Sequence, residues 1–235
     1  MRVFAFFIVL VLFISGYAGF RVATWPGFDP KKIIVIGNVQ VSPTEILKRA
    51  AIPKNRNIWL LGKHSAEARI ETLPWIRTAE IHRALPAYVS IVVFERSPAA
   101  CIRSSSRRYL VDATAHVIQT DCTAYRNLVD IDWKQLGSQQ PGAVLQGDVV
   151  RRLLRDATSL RAQHLDPVVV GLDRYGGLDA TLRGGLRVRF GDDSDVQRKA
   201  GLVEPILQAY GARTRDVAVI DLRAPTTPVV EERRP

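Results

Sequence analysis

The chain has 235 residues, of which 47% are hydrophobic and 24% charged, with a formal net charge of +10. With an apolar N-terminal run set aside, roughly 200 residues remain, enough for one large domain or two small ones, and the ordinary composition excludes a disordered or low-complexity chain. The basic excess is spread along the sequence instead of gathered in one tract, which argues against nucleic acid and for a basic surface near anionic lipid head groups.

Residues 3–20, VFAFFIVLVLFISGYAGF, carry no charge and would span about 27 Å as a helix, close to the hydrocarbon thickness of a bilayer. Arg2 and Arg21 flank the run and can reach outward to the interface. This predicts an uncleaved transmembrane anchor over 1–23. A cleaved signal peptide is the alternative, with Gly16-Tyr17-Ala18 as its small-x-small site. The run is longer than an ordinary signal core, and Arg2 is the whole basic leader, so the anchor is preferred. Residues 24–30 read as a juxtamembrane linker broken by Pro26, Gly27 and Pro30, with Trp25 suited to the membrane interface.

Residues 31–98 predict a small α+β unit in the order strand, helix, helix, strand, strand. KKIIVI is a strand ending in a Gly37-Asn38 turn. Ser42-Pro43-Thr44-Glu45 starts a helix, with Ser42 as cap, Pro43 at the first position and Glu45 completing a capping box. Ser65 is the expected cap of a second helix, SAEARIETL, which Pro74 ends. IRTAEIHRAL and YVSIVVFER follow as two strands.

Residues 99–225 predict a mixed, β-rich domain with flanking helices. RRYLVDA and AHVIQTD suggest a hairpin. Asp148 opens a helix with Val150, Leu153, Leu154, Ala157 and Leu160 on one stripe. LDATLRGGLRVRFG is the clearest hairpin: Gly184-Gly185 turns it, and Leu186, Val188 and Phe190 alternate with Arg187 and Arg189. Asp195 is the expected cap of a helix that Gly211 stops. VAVIDLR forms a last strand, which either lies at a sheet edge and offers unpaired backbone groups or sits inside and completes the core. Residues 226–235 read as a flexible tail.

No catalytic constellation appears. The four histidines show no HExxH and no carboxylate partner in the sequence, and GxSxG, Walker A and GxGxxG motifs are absent. Asp192, Asp193 and Asp195 lack the spacing of a calcium loop. No metal, no cofactor and no enzymatic activity are expected. Cys101 and Cys122 form no metal-ligand spacing. They either bridge, closing a loop of about twenty residues worth roughly 3 kcal/mol in the chain-entropy model, or stay as two small buried thiols.

Several motifs in collinear order resemble the FtsQ/DivIB cell-division family. VIGNVQVSPTEIL is similar to the opening strand, turn and helix start of that family's POTRA domain. LPWIRTAEIHRALPAYVSIVVFERSPAA is similar to its last two strands, with Pro74-Trp75, Ala79, Arg83, Pro86, Glu95-Arg96 and Pro98-Ala99 in the family's pattern. YLVDATAHVI, GLRVRFG, Lys199 and IDLRAP resemble its β domain. The resemblance implies a non-enzymatic division scaffold at the septum, single-pass in the cell inner membrane with its bulk periplasmic, that binds FtsB and FtsL and helps regulate septal peptidoglycan synthesis. It places the partner contact, by strand addition, on Ile220, Asp221, Leu222, Arg223, Ala224, Pro225, Thr226, Thr227, Pro228, Val229 and Val230, with Arg223 as ion-pair partner and Arg174 as a second positive charge. Pro225 and Pro228 each remove a backbone donor, which limits the ladder this stretch can form. The alternative is a POTRA-containing envelope protein for polypeptide transport or outer-membrane assembly, although no run of barrel strands is evident.

Overall fold

In the computed structural model, which describes residues 2–55, 57–105, 107–192 and 194–233, the chain divides into two units, Met1–Arg96 and Ser97–Pro235. Met1, Asp193, Arg234 and Pro235, each within a segment read from the sequence, lie outside the described residues.

The first unit begins with helix α1 (Arg2–Ala23), 22 residues long, whose described side chains run from Phe7 to Arg21. Among the described residues no helix is long and apolar enough to cross a membrane. A 3-10 turn, Pro26–Phe28, follows, with Trp25 and Phe28 packed edge to face.

Strand β1 (Lys32–Ile36) ends at Gly37, whose φ is +88° and where a Cβ would lie 2.3 Å from the Val93 carbonyl oxygen. Only glycine fits there, which is why the turn falls at this point. Helix α2 (Pro43–Ala50) starts as the sequence indicates: the Ser42 hydroxyl accepts from the Glu45 N–H at 3.2 Å. Helix α3 (Lys63–Glu71) does not. Its expected cap, Ser65, lies inside the helix, because the Ala66 N–H already bonds to the Gly62 carbonyl. A 3-10 turn at Ile58–Leu60, capped by Asn57, buries Ile58 and brings the chain into helical register early.

Strands β2 (Ile76–Ala84) and β3 (Tyr88–Glu95) complete a three-stranded sheet in the order β1-β3-β2, parallel between β1 and β3 and antiparallel between β2 and β3. One face buries Ala79, Ile81, Val89, Ile91 and Val93 against Ile46, Ala50, Ala66 and Ile70 of the helices. At the end of β3 the Glu95 carboxylate accepts from the N–H groups of Val39, Gln40 and Val41 at 2.8–3.0 Å. This charge-assisted cluster fastens the loop between β1 and α2.

The second unit holds β4 (Pro98–Arg103), β5 (Arg108–Asp112), β6 (Val117–Gln119), β7 (Val129–Asp132), α4 (Asp148–Ala162), β8 (Pro167–Leu172), β9 (Leu178–Leu182), β10 (Arg187–Gly191), α5 (Val196–Gly201), α6 (Val203–Tyr210), β11 (Val217–Asp221) and β12 (Val229–Glu232). All nine strands form one sheet, in the order β12-β11-β10-β9-β8-β7-β4-β5-β6. Helix α4 lays Val150, Leu153, Leu154, Ala157 and Leu160 into a core with Ile102, Ile131, Val170, Val188 and Phe190 of the strands. Cys101 in β4 and Cys122 after β6 are joined by a disulfide.

Three expectations are corrected here. Asp195 stands before α5 with φ +55° and makes no side-chain cap bond. The single helix expected up to Gly211 is two, α5 and α6, broken at Leu202. Pro205 has no N–H to give and its ring crowds the carbonyl four residues back, at Gly201. Finally, the tail expected to be flexible folds back as β12, antiparallel to β11 with Ile220 opposite Val230. A turn bonded from the Thr227 N–H to the Ala224 carbonyl reverses the chain, Val230 packs on the core, and Arg233 bonds to the Asp216 and Gly184 carbonyls.

Glu95→Ala is expected to destabilise the first unit by about 1–2 kcal/mol. Denaturant unfolding measures this, together with faster amide exchange at residues 39–41.

Candidate partner interface at the last strand

The nine-stranded sheet has two edges. At β6 the edge is covered: the Val117 N–H bonds to the Ala143 carbonyl and the Gly142 N–H to the Val117 carbonyl, both at 2.8 Å, with a bridge between His116 and Val144. At the other end β12 is paired with β11 on one side and, among the described residues, has no strand on the other. An edge of this kind offers a row of N–H and C=O groups to an incoming strand.

The residues expected at the contact are divided by this arrangement. Ile220 is buried and sits between Val188 of β10 and Val230 of β12. Leu222 is buried, and its N–H bonds to the Arg189 carbonyl at 2.8 Å. VAVIDLR is therefore an internal strand: Ile220 and Asp221 pair with β10 on one side and β12 on the other, and the Leu222 N–H is bonded to β10. Ala224, Thr226, Thr227 and Pro228 are exposed and Pro225 half-buried in the turn that leads to β12. Val229 is 58% exposed on β12, and Val230 faces the core.

Arg223 and Arg174 come together. With Tyr175, Arg187 and Arg189, and with the carboxylates of Asp173 and Asp179, they line a depression of about 470 Å³ in which four arginines outnumber two aspartates. Arg223 holds Asp221 from its Nε at 3.0 Å and its Nη2 at 2.6 Å. Its stem lies against Gly191, where φ is +75° and a Cβ would come within 2.9 Å of the Arg223 Cγ. Arg187 forks onto Asp179, and Arg189 reaches Glu231 of β12 at 2.9 Å and Asp221 at 3.8 Å. Arg174 is carried on a turn in which Asp173 accepts from the Tyr175 and Gly177 N–H groups, each at 2.8 Å. Its guanidinium stacks 4.8 Å over the Tyr175 ring, and among the described residues it has no carboxylate in ion-pair range. Among the described residues, Arg174 is thus the arginine of this depression that no ion pair holds.

Lys199 supports the site from below. It is 3% exposed, and its Nζ donates to the Phe190 carbonyl at 2.9 Å, the Asp192 carbonyl at 3.1 Å and Asp192 Oδ1 at 2.6 Å. All three ammonium donors are used, so the buried side chain is fully hydrogen-bonded. The clamp fixes the end of β10 and so the backbone at Gly191 beneath Arg223. A lone lysine in a helical stretch carries no sequence signal for this role beyond its place in the family pattern.

Two of the four histidines do meet carboxylates, contrary to the sequence reading. His64 lies 3.1 Å from Glu67 and His82 3.4 Å from Glu80. Among the described residues no cluster of three or more His, Cys, Asp or Glu could hold a metal ion.

The first unit matches the model of the FtsQ-type POTRA domain over residues 28–96, ending where the unit itself ends. The class is therefore a POTRA domain followed by a β-rich domain. The chain is 30% identical over 202 residues to the cell division protein FtsQ of Chloroflexus aurantiacus, covering 84% of this chain and 73% of that one. It is 29% identical to the cell division protein FtsQ of Syntrophotalea carbinolica over 90% of this chain and 77% of the relative. With the cell division protein DivIB of Clostridium tetani the identity is 23%, over 77% and 71%. The chain belongs to the FtsQ/DivIB family of cell-division proteins.

Asp221 is held below its ordinary value of 3.8, first by the bond from the Arg223 side chain, against burial, and then by the Arg223 N–H and the nearby charges of Arg223 and Arg189. A depressed carboxylate stabilises the fold above its unfolded pKa and loses that contribution as the pH falls through its folded pKa. Asp221→Asn is therefore expected to lower the melting temperature at pH 7, with the gap to wild type closing below about pH 4. Thermal melts across pH 2–7 measure it.

Proposed function

We propose that this chain is a bitopic scaffold of the division machinery that takes a strand from an FtsB-type protein onto the free edge of β12. The single observation that carries this reading is that β12 is an unpaired edge bordered by a basic depression. The acidic pair Glu231-Glu232 at the end of β12 is answered by Arg189 and Arg213, so the edge keeps a cationic margin toward Arg174 and Arg223. An incoming strand supplies the missing backbone partners and places an acidic side chain near Arg174, where Val229 gives it an apolar contact. FtsL accompanies the FtsB-type partner, and through the pair the chain helps control septal peptidoglycan synthesis. The protein acts by binding and performs no catalysis.

The anchor belongs to the same reading. A 22-residue helix is about 33 Å long, and residues 3–20 carry no charge. These features support α1 as a single membrane span in the cell inner membrane, with both units periplasmic and gathered at the septum. The family assignment favours this over polypeptide transport or outer-membrane assembly.

The test is binding of the full-length chain in detergent to the periplasmic segment of an FtsB-type protein. Removing residues 229–235 is expected to weaken binding by at least about a hundredfold, and Arg174→Glu by about five- to tenfold with the fold intact. Unchanged affinity after loss of residues 229–235 overturns the strand-addition reading.

A further inference from the structure

The three-stranded sheet of the POTRA unit ends at β2, and β2 is an edge with a different fate from β12. It pairs with β3 through one side only, with Ala79 opposite Val93 and Ile81 opposite Ile91. The N–H groups of Ala79 and Ile81 are turned away from β3 and meet carboxylates instead. Ala79 donates to Glu71 Oε1 at 3.0 Å, and Ile81 donates to Glu67 Oε1 at 2.7 Å.

The spacing of these bonds is the informative part. Glu67 and Glu71 are four residues apart on α3, about 6 Å along a helix axis. Ala79 and Ile81 are two apart on β2, about 6.8 Å along a strand. The two repeats nearly coincide, and the pairing runs in reverse order, as it does between antiparallel elements. Two carboxylate oxygens therefore stand where a neighbouring strand would present two successive carbonyls. Glu67 is itself held, by Lys63 at 3.5 Å and His64 at 3.1 Å, with only 12% of its side chain exposed. Further along the same edge, the Arg83 side chain is tied to the Ile58 and Trp59 carbonyls at 3.1 and 3.2 Å and lies over the Trp59 ring.

We propose that Glu67 and Glu71 form a latch that imitates a fourth strand and closes the β2 edge of the POTRA unit to strand addition. Any extended segment that enters this edge must first displace both carboxylates. The latch also keeps two copies of this chain from pairing edge to edge, which is the ordinary hazard of an uncovered strand. This inference does not depend on the role of β12.

The test uses the full-length chain in detergent and compares Glu67→Ala/Glu71→Ala with Glu67→Gln/Glu71→Gln. Glutamine keeps a carbonyl acceptor at the same place, and alanine does not. Amide exchange at Ala79 and Ile81 is expected to quicken by about tenfold in the alanine pair, while β3 amides keep their protection. The alanine pair is also expected to self-associate in sedimentation at concentrations where wild type does not. The glutamine pair is expected to stay close to wild type in both. Unchanged exchange at Ala79 and Ile81 in the alanine pair, or no gain in self-association, overturns the latch. If the alanine pair loses protection throughout the sheet, the glutamine pair decides: protection kept at the two amides supports the latch, and protection lost overturns it.

Discussion

A strand at the end of a sheet leaves one row of N–H and C=O groups without a backbone partner, and most of what is distinctive in this protein follows from how it treats those rows. Each unit carries a sheet, and the treatment of the edges differs strand by strand. At β6 the chain lays its own 142–144 segment along the row. At β2 two carboxylates from α3 occupy the donors. At β12 the outer row has no strand beside it among the described residues. Water can satisfy such a row, but so can another chain.

The basic excess is largely paired where the second sheet meets solvent: Arg187 with Asp179, Arg189 with Glu231 and Asp221, Arg223 with Asp221, Arg108 with Asp130. Exposed pairs of this kind add little stability individually, but they hold guanidinium groups in fixed positions. Lys199 extends the same logic inward, fixing the end of β10 by three donors. The position of Arg223 over Gly191 is therefore set from the core outward, and the depression it shares with Arg174 is built rather than incidental.

The parts of the fold legible in the sequence were those with strong local signals. The stripe on α4, the Gly184-Gly185 hairpin and the Ser42 cap each rest on periodicity or turn chemistry contained within about fifteen residues, and the POTRA motifs came in collinear order. The missed elements depend on distant partners. β4 and β7 are short central strands paired in parallel with each other, so their register comes from neighbours far along the chain. β12 has four residues between a proline-rich turn and a charged end, and only β11 makes it a strand. VAVIDLR therefore reads as edge or interior alike, because nothing local indicates that β12 covers it. Ser65 and Asp195 are suitable capping types at nearly suitable positions, and tertiary context moved the helix start in one case and the backbone φ in the other.

The central claim is that β12 is the edge that receives a partner strand. It is tested most directly by amide hydrogen exchange of the full-length chain, free and saturated with the periplasmic segment of an FtsB-type protein. Binding is expected to protect amides within Val229–Glu232 while leaving exchange at Ala79 and Ile81 of β2 unchanged. Saturation with no added protection in Val229–Glu232, or protection falling on β1 or β2 instead, would contradict it.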